Sequence, residues 1–159
     1  MRALVQRVKR CRVHIDGKVH SSIEEGILIF LGVRTGDRDE DARYLAERCA
    51  SLRIFEDDHG KMNLSMKDTG GSAMVVSQFT LYADTRKGNR PGFTDAAPPE
   101  VAEDLYLKFV KYLKGALGET KVGMGVFRTM MDVELINDGP VTVMLESKSD
   151  TAPASGQGS

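Results

Sequence analysis

The chain has no tryptophan and only two cysteines, Cys11 and Cys49, in 159 residues. Neither lies in a C-x-x-C or other ligand spacing, so a cysteine-built metal centre is excluded and both read as small core residues. Its three histidines, His14, His20 and His59, have no H-x-x-x-H or H-E-x-x-H companion. No metal and no cofactor are therefore expected. No apolar run approaches the ~20 residues that a membrane span needs. The amino terminus, MRALVQRV, passes straight into alternating residues without the charged-then-apolar layout of a secretory signal. A cytoplasmic location is the expectation. An excess of one charge sign is also missing: 22 basic against 23 acidic side chains leave a formal charge of -1. That excludes the global field of a histone-like protein, and a polyanion would have to meet a local patch. Two basic stretches offer one, Arg86-Lys87-Gly88-Asn89-Arg90 and the run Arg7, Lys9, Arg10, Arg12. Each reads first as a solvated surface.

What is present is an ordinary soluble composition, 41% hydrophobic and 28% charged, in a chain the size of one domain. Cys11, Val13 and Ile15 alternate with Arg12, His14 and Asp16, the period of a strand with one buried face. Asp16-Gly17 then suits a tight hairpin. Gly26 to Val33 is apolar throughout, as in a strand buried on both faces. Asp37, with Glu40 three residues on, resembles a helix start, and Ala42, Leu45, Ala46 and Cys49 follow at helical spacing, giving a first helix over 38–51. Leu52 to Phe55 returns to a strand, and Asp57-Asp58-His59-Gly60 turns. Ala73 to Tyr82 is the longest strand expected. Pro98-Pro99 opens a second helix over 99–117, with Ala102, Leu105, Phe109 and Leu113 as its buried stripe and Gly118 as its end. Strands are expected at Lys121–Phe127, Met131–Ile136 and Val141–Glu146. The order of elements predicts an α+β domain over 1–147, with a largely antiparallel, barrel-like sheet and two main helices. Residues 148–159, ending in SDTAPASGQGS, read as a disordered polar tail.

Two segments carry polar residues where apolar ones would serve a core. Ser77-Gln78-Phe79-Thr80 closes an otherwise apolar strand, and its polar groups must be hydrogen-bonded or held for a ligand. A Ser or Thr nucleophile needs a base, and no histidine is placed by sequence to serve Ser77 or Thr80. Asn137-Asp138-Gly139-Pro140 interrupts the last apolar stretch with turn chemistry, and read alone it joins two antiparallel strands.

VVSQFTLYADTRKG (75–88) and NDGPVT (137–142) together resemble the signature pair of the D-aminoacyl-tRNA deacylases, of the D-tyrosyl-tRNA deacylase type. MRALVQRV, LRIFEDDHGKMNLS and PGFTDAAPPE are similar to that family too, so the resemblance spans residues 1–147. It implies a homodimer that hydrolyses the ester between a D-amino acid and the terminal adenosine of tRNA, a carboxylic ester hydrolase of translation quality control. It also implies that Gly139-Pro140 is a cis pair reaching into the partner's active site, where backbone carbonyls hold the α-amino group. An L side chain would clash there, whereas glycine, having none, would pass.

By the same resemblance Ser77, Gln78 and Thr80 fall on the catalytic-strand motif. Phe79 is the orienting aromatic, and nearby N–H groups hold the ester carbonyl. Arg7 anchors the Gly-Pro segment across the dimer, and Phe127 and Met131 line the adenine pocket, although core packing would place them equally well. The family is thought to activate water with the neighbouring ribose hydroxyl. A nucleophilic Thr80 ranks second. The chain departs from the family at Gly125-Val126-Phe127-Arg128-Thr129-Met130-Met131, where Arg128 replaces a glycine and Met130 an acid. A paralogous family with other chiral tolerance has Pro and Ala at the Ser77 and Phe79 positions, so this chain falls on the D-specific side. The rival reading is a non-catalytic tRNA- or RNA-binding adaptor using the loop Arg86 to Arg90, which makes no demand on Gly139-Pro140.

Overall fold

A computed structural model of the chain describes residues 1–148, so the tail from 149 onward lies outside the described residues. In chain order the elements are β1 Arg2–Ile15, β2 Lys18–Ile23, β3 Gly26–Gly32, α1 Asp39–Ser51, β4 Phe55–Glu56, β5 Met62–Leu64, α2 Met66–Thr69, β6 Ser72–Ser77, α3 Pro99–Leu117, β7 Val122–Met124 and β8 Asp132–Glu146. Strand β1 is the axis of the sheet. One of its edges carries β8 from end to end; the other carries β3 against its first half and β2 against its second. Asp16 and Gly17 join β1 to β2 with φ of 50° and 75°, the two positive values this hairpin turn requires.

The sheet is mixed. β1 pairs antiparallel with β2, β3 and β8, but β3–β6 and β6–β7 are parallel. Parallel neighbours need long crossovers. Helix α1, the small β4–β5 ladder and α2 fill the first crossover, and α3 the second. Within the main sheet the expected antiparallel pairing therefore holds for the β1 ladders only.

Two cores lie on opposite faces. On one, α1 and α3 bury Leu45, Cys49, Leu105, Phe109 and Leu113 against Ala3, Val5, Ile27, Ile29, Ala73 and Val75. On the other, Val8, Cys11, Val13, Leu28, Met74 and Val76 meet the half-buried Met131, Val133 and Leu135. The first half of β8 thus packs near β6, two strands beyond β1 on the sheet's other side, and the sheet curls into an incomplete barrel. β1 serves both faces because its ladder with β8 slips between Gln6 and Val8 and again between Val8 and Arg10. Each irregularity re-aims the side chains that follow it.

Both main helices appear near their expected bounds, with Pro99 in the first turn of α3 and Gly118, at φ 118°, capping its end. The start of α1 differs by one residue. Asp41, not Glu40, reaches back to the N–H of Arg38 at 2.8 Å. Asp37 is engaged elsewhere, accepting from Arg34 N at 2.6 Å and from the Met1 amine at 2.9 Å. Among the described residues no helix is long and apolar enough to cross a membrane.

Candidate active site

Strand β6 stops at Ser77, short of the strand expected to run to Tyr82. Gln78 N still donates to Leu31 O at 2.8 Å, extending the ladder with β3 by one bond. The chain then folds into a 3-10 turn over Phe79–Tyr82, closed by Leu81 N to Gln78 O at 3.3 Å and Ala83 N to Thr80 O at 3.1 Å. Gly32 leaves room for this turn: a Cβ there would stand 3.0 Å from Leu81 Cβ and 3.2 Å from Gln78 O. As the first residues of the turn, Phe79 and Thr80 have backbone N–H groups that meet no acceptor among the described residues. Gln78 Nε2 donates to Thr80 Oγ1, whose own proton stays available to donate.

The turn forms one wall of a cleft of about 860 Å³. Ser77, Gln78 and Phe79 line it, as do Phe93 to Pro99 in part and the segment Val126–Met131. Phe79 and Phe93 meet edge to face at 5.0 Å while remaining 55% and 40% exposed. Two half-exposed rings packed on each other at a cleft mouth are surface kept for contact. Deeper, Phe127 lies 6.0 Å from the Tyr106 ring, whose buried hydroxyl donates to Val75 O at 2.8 Å. Gly125 N donates to the same oxygen at 3.0 Å, and a Cβ on Gly125 would stand 2.8 Å from Met131 Sδ. Phe127 and Met131 are thus lining residues that also pack on the two cores.

The lining contains no histidine, carboxylate or lysine, and its single charged side chain among the described residues is Arg128. Arg128 is exposed and has φ of 59°, the left-handed region that favours glycine. The glycine that the resemblance sets at this position would hold that φ without strain. Met130 beside it is 92% exposed.

The Asn137–Pro140 segment is not a hairpin turn. The strands expected on its two sides are one strand, β8, with both halves antiparallel to β1. Gln6 pairs with Thr142 and Val8 with Asn137, so Asp138 to Val141 bulge out opposite Arg7 alone. The Asn137 side chain closes the excursion, accepting from Val141 N at 3.0 Å and donating to Thr142 Oγ1 at 2.9 Å. The Gly139-Pro140 peptide is cis, and both residues are exposed. Buried Arg7 donates from Nε to Asp138 O at 3.0 Å and from NH1 to Ile54 O at 2.7 Å. Within the chain Arg7 thus holds the residue that precedes Gly139. Gly139, at φ 127°, leaves no space for a side chain: a Cβ would lie 2.9 Å from Arg7 NH2 and 3.0 Å from Val141 Cγ2. Neither Gly139, Pro140, Arg7 nor Thr80 lines the cleft of its own chain.

The basic loop is pinned at its base by an Asp84–Gly92 bridge. Arg86 Nε and NH2 each donate to the Asp84 carboxylate at 2.9 Å, holding its pKa down to about 2. Sequence reasoning gave no role to Phe93 or Thr94, although PGFTDAAPPE contains both. The contact of Phe93 with Phe79 depends on the loop's return, which local pattern does not encode.

The fold and this cleft define a class with solved members. A structure described as c-Myc DNA Unwinding Element Binding Protein superposes with a TM-score of 0.89 at 38% identity, covering 92% of this chain and 99% of that one. One described as a probable eukaryotic D-amino acid tRNA deacylase, at a TM-score of 0.79 and 17% identity over 91% of this chain and 98% of that one, shares the fold. The chain belongs to the D-Tyr-tRNA(Tyr) deacylase family, whose model matches residues 4–146. It is 55% identical over 146 residues to the D-aminoacyl-tRNA deacylase of Carboxydothermus hydrogenoformans, covering 92% of this chain and 99% of the relative. It is 53% identical over 153 residues to that of Dictyoglomus turgidum, covering 96% and 97%.

Proposed function

We propose that this chain is a D-aminoacyl-tRNA deacylase, and that it hydrolyses the ester between a D-amino acid and the terminal adenosine of tRNA in the cleft beside Phe79. The observation that carries the site is the pair of unengaged N–H groups on Phe79 and Thr80 at the edge of a largely neutral pocket. The ester carbonyl oxygen accepts from these donors, which are already fixed where negative charge develops as the carbon becomes tetrahedral. One such donor is worth ~10²–10³ in kcat. The adenine ring occupies the apolar end at Phe127 and Met131. Water adds to the carbonyl carbon, and the ribose oxygen leaves with a proton to give free amino acid and intact tRNA.

Nothing in the lining takes the water's proton, so the base is the substrate's own 2'-hydroxyl. The alternative, a Thr80 nucleophile, needs a side-chain base, and no histidine, carboxylate or lysine lines the cleft. A tRNA ending in 2'-deoxyadenosine separates the two: water activation by the RNA predicts that its ester survives, whereas normal turnover of it would overturn that reading.

The protein works as a homodimer in the cytoplasm, with Gly139-Pro140 of one subunit entering the cleft of the other. Three features support this: the pair is exposed, it is absent from its own cleft, and the outer edge of β8 has no strand partner among the described residues, with Ile136 and Met144 41% and 44% exposed. The Gly-Pro backbone stands where an L side chain would project. D-aminoacyl-tRNA is cleaved, glycyl-tRNA escapes the clash and is cleaved as well, and L-aminoacyl-tRNA is refused. Matched D- and L-aminoacyl-tRNA substrates test this. Cleavage of neither returns the chain to the RNA-binding adaptor reading, and equal cleavage of both removes the chiral wall.

A further inference from the structure

The cleft's single cation has no assignment in the mechanism above. Arg128 lines the cleft with an exposed side chain, and no hydrogen bond or ion pair holds its guanidinium among the described residues. Other arginines here are spoken for: Arg2 by Glu146, Arg7 by two carbonyls, Arg86 by Asp84. The backbone at Arg128 sits at φ 59°, a conformation that L side chains rarely adopt, within a turn that Thr129 Oγ1 steadies through Phe127 O at 3.4 Å. The turn therefore delivers a charged side chain to the rim at a position where glycine would be easier.

We propose that Arg128 binds the phosphodiester that joins the substrate's terminal nucleoside to the rest of the tRNA. The inference rests on the deacylase reading. A terminal nucleoside carrying an amino acid ester has one fixed positive group, the α-ammonium, and one neighbouring anion, the phosphate on its 5' side. Arg128 directly follows Phe127. A base lying against Phe127 puts its sugar and that phosphate toward the rim, while the ester and its ammonium point to Phe79, away from the guanidinium. Guanidinium suits the role because two of its N–H groups match two phosphate oxygens. The rest of the lining carries no charge and competes with neither end.

The test compares two substrates, D-aminoacyl-tRNA and the 3'-D-aminoacyl ester of adenosine without phosphate, in wild type, Arg128→Gln and Arg128→Lys. The ratio of kcat/KM on tRNA to kcat/KM on the nucleoside ester is expected to fall about tenfold in Arg128→Gln, through KM, and to fall less in Arg128→Lys, which keeps the charge but loses the two-pronged match. The slope of log kcat/KM on tRNA against log salt should become shallower by ~0.7 in Arg128→Gln. An unchanged ratio and slope, or equal losses on both substrates, would overturn the inference while leaving the deacylase reading intact. A wild type that cleaves neither substrate would remove both. If Arg128→Gln does not fold, Arg128→Gly removes the same charge and relaxes the backbone, and the same ratio decides.

Discussion

Arg7 Nε donates to the main-chain oxygen of Asp138 at 3.0 Å, joining residues 131 apart in sequence at the first of the two places where β1 and β8 lose register. Lysine has one nitrogen and cannot satisfy both Asp138 O and Ile54 O at their present positions. Arg7→Lys should therefore cost about 2 kcal/mol and lower Tm by roughly 4–8 °C, since a buried carbonyl loses a charged donor. Calorimetry of the variant checks this, and an unchanged Tm would show the clamp to be ornamental.

Gly139→Ala places a methyl against Arg7 and Val141 at a φ that alanine rarely adopts. Turnover of D-aminoacyl-tRNA should fall ~100-fold, because a small displacement of the tip suffices to misplace the substrate. Sedimentation should still report a dimer. Mixing this variant with one defective only in the cleft should restore about a quarter of wild-type activity, as expected when each site draws on two subunits. No recovery on mixing would mean that the site is not shared.

Phe79→Pro removes one of the two unengaged N–H groups where a 3-10 turn begins, a position that has no intrahelical use for it. Phe79→Leu keeps the N–H and loses the ring. The proline variant should lose a further ~10²–10³ in kcat beyond the leucine variant. Equal kinetics of the two would exclude the Phe79 amide as an oxyanion donor.

Arg128→Gly relaxes a positive φ held by a residue with a Cβ. Stability should rise by about 1 kcal/mol, or roughly 2–4 °C in Tm, even as tRNA binding weakens. A lower Tm would show that the arginine side chain stabilises the fold.

Burial pushes the Cys11 thiol up to about 11, with Glu134 adding to it, and the Cys49 thiol up to about 12. Both are raised above the ordinary 9.0, so the folded protein holds these protons after the unfolded chain has released them. Their contribution to stability is whole below pH 9 and is lost as pH climbs toward 11 and 12. Native protein at pH 8 should release no colour with a thiol reagent and should react at both cysteines once denatured. Prompt reaction in the native state would refute the burial.

Local chemistry made several elements readable: the Asp16-Gly17 hairpin, β3 with two buried faces, and α3 between Pro99 and Gly118. Where reading failed, the cause was a distant partner. Ala73 to Tyr82 looks like one strand because no glycine or proline marks a break; the bend comes from the room that Gly32 leaves for the turn. Asn137 to Pro140 has the composition of a hairpin turn, and only β1, some 130 residues upstream, reveals that both flanks belong to one strand. In the cleft, Ser77, Gln78, Phe79, Phe127 and Met131 were legible through family likeness and do come together. Phe93 was not, because its value lies in the ring it touches.

The Gly139-Pro140 tip belongs to a sheet, not to a loop. Both of its ends are bonded into the β1–β8 ladder, so it has no hinge of its own and yields only when that ladder opens. If the tip is the chiral wall proposed above, the frequency of such openings, measurable as amide hydrogen exchange at Gln6, Val8, Asn137 and Thr142, sets a floor under the error rate of chiral discrimination. On the proposed role of Gly139-Pro140, fidelity becomes a matter of sheet stability, and a mutation far along β8 that loosens the ladder would be read out as mistaken hydrolysis of L-aminoacyl-tRNA.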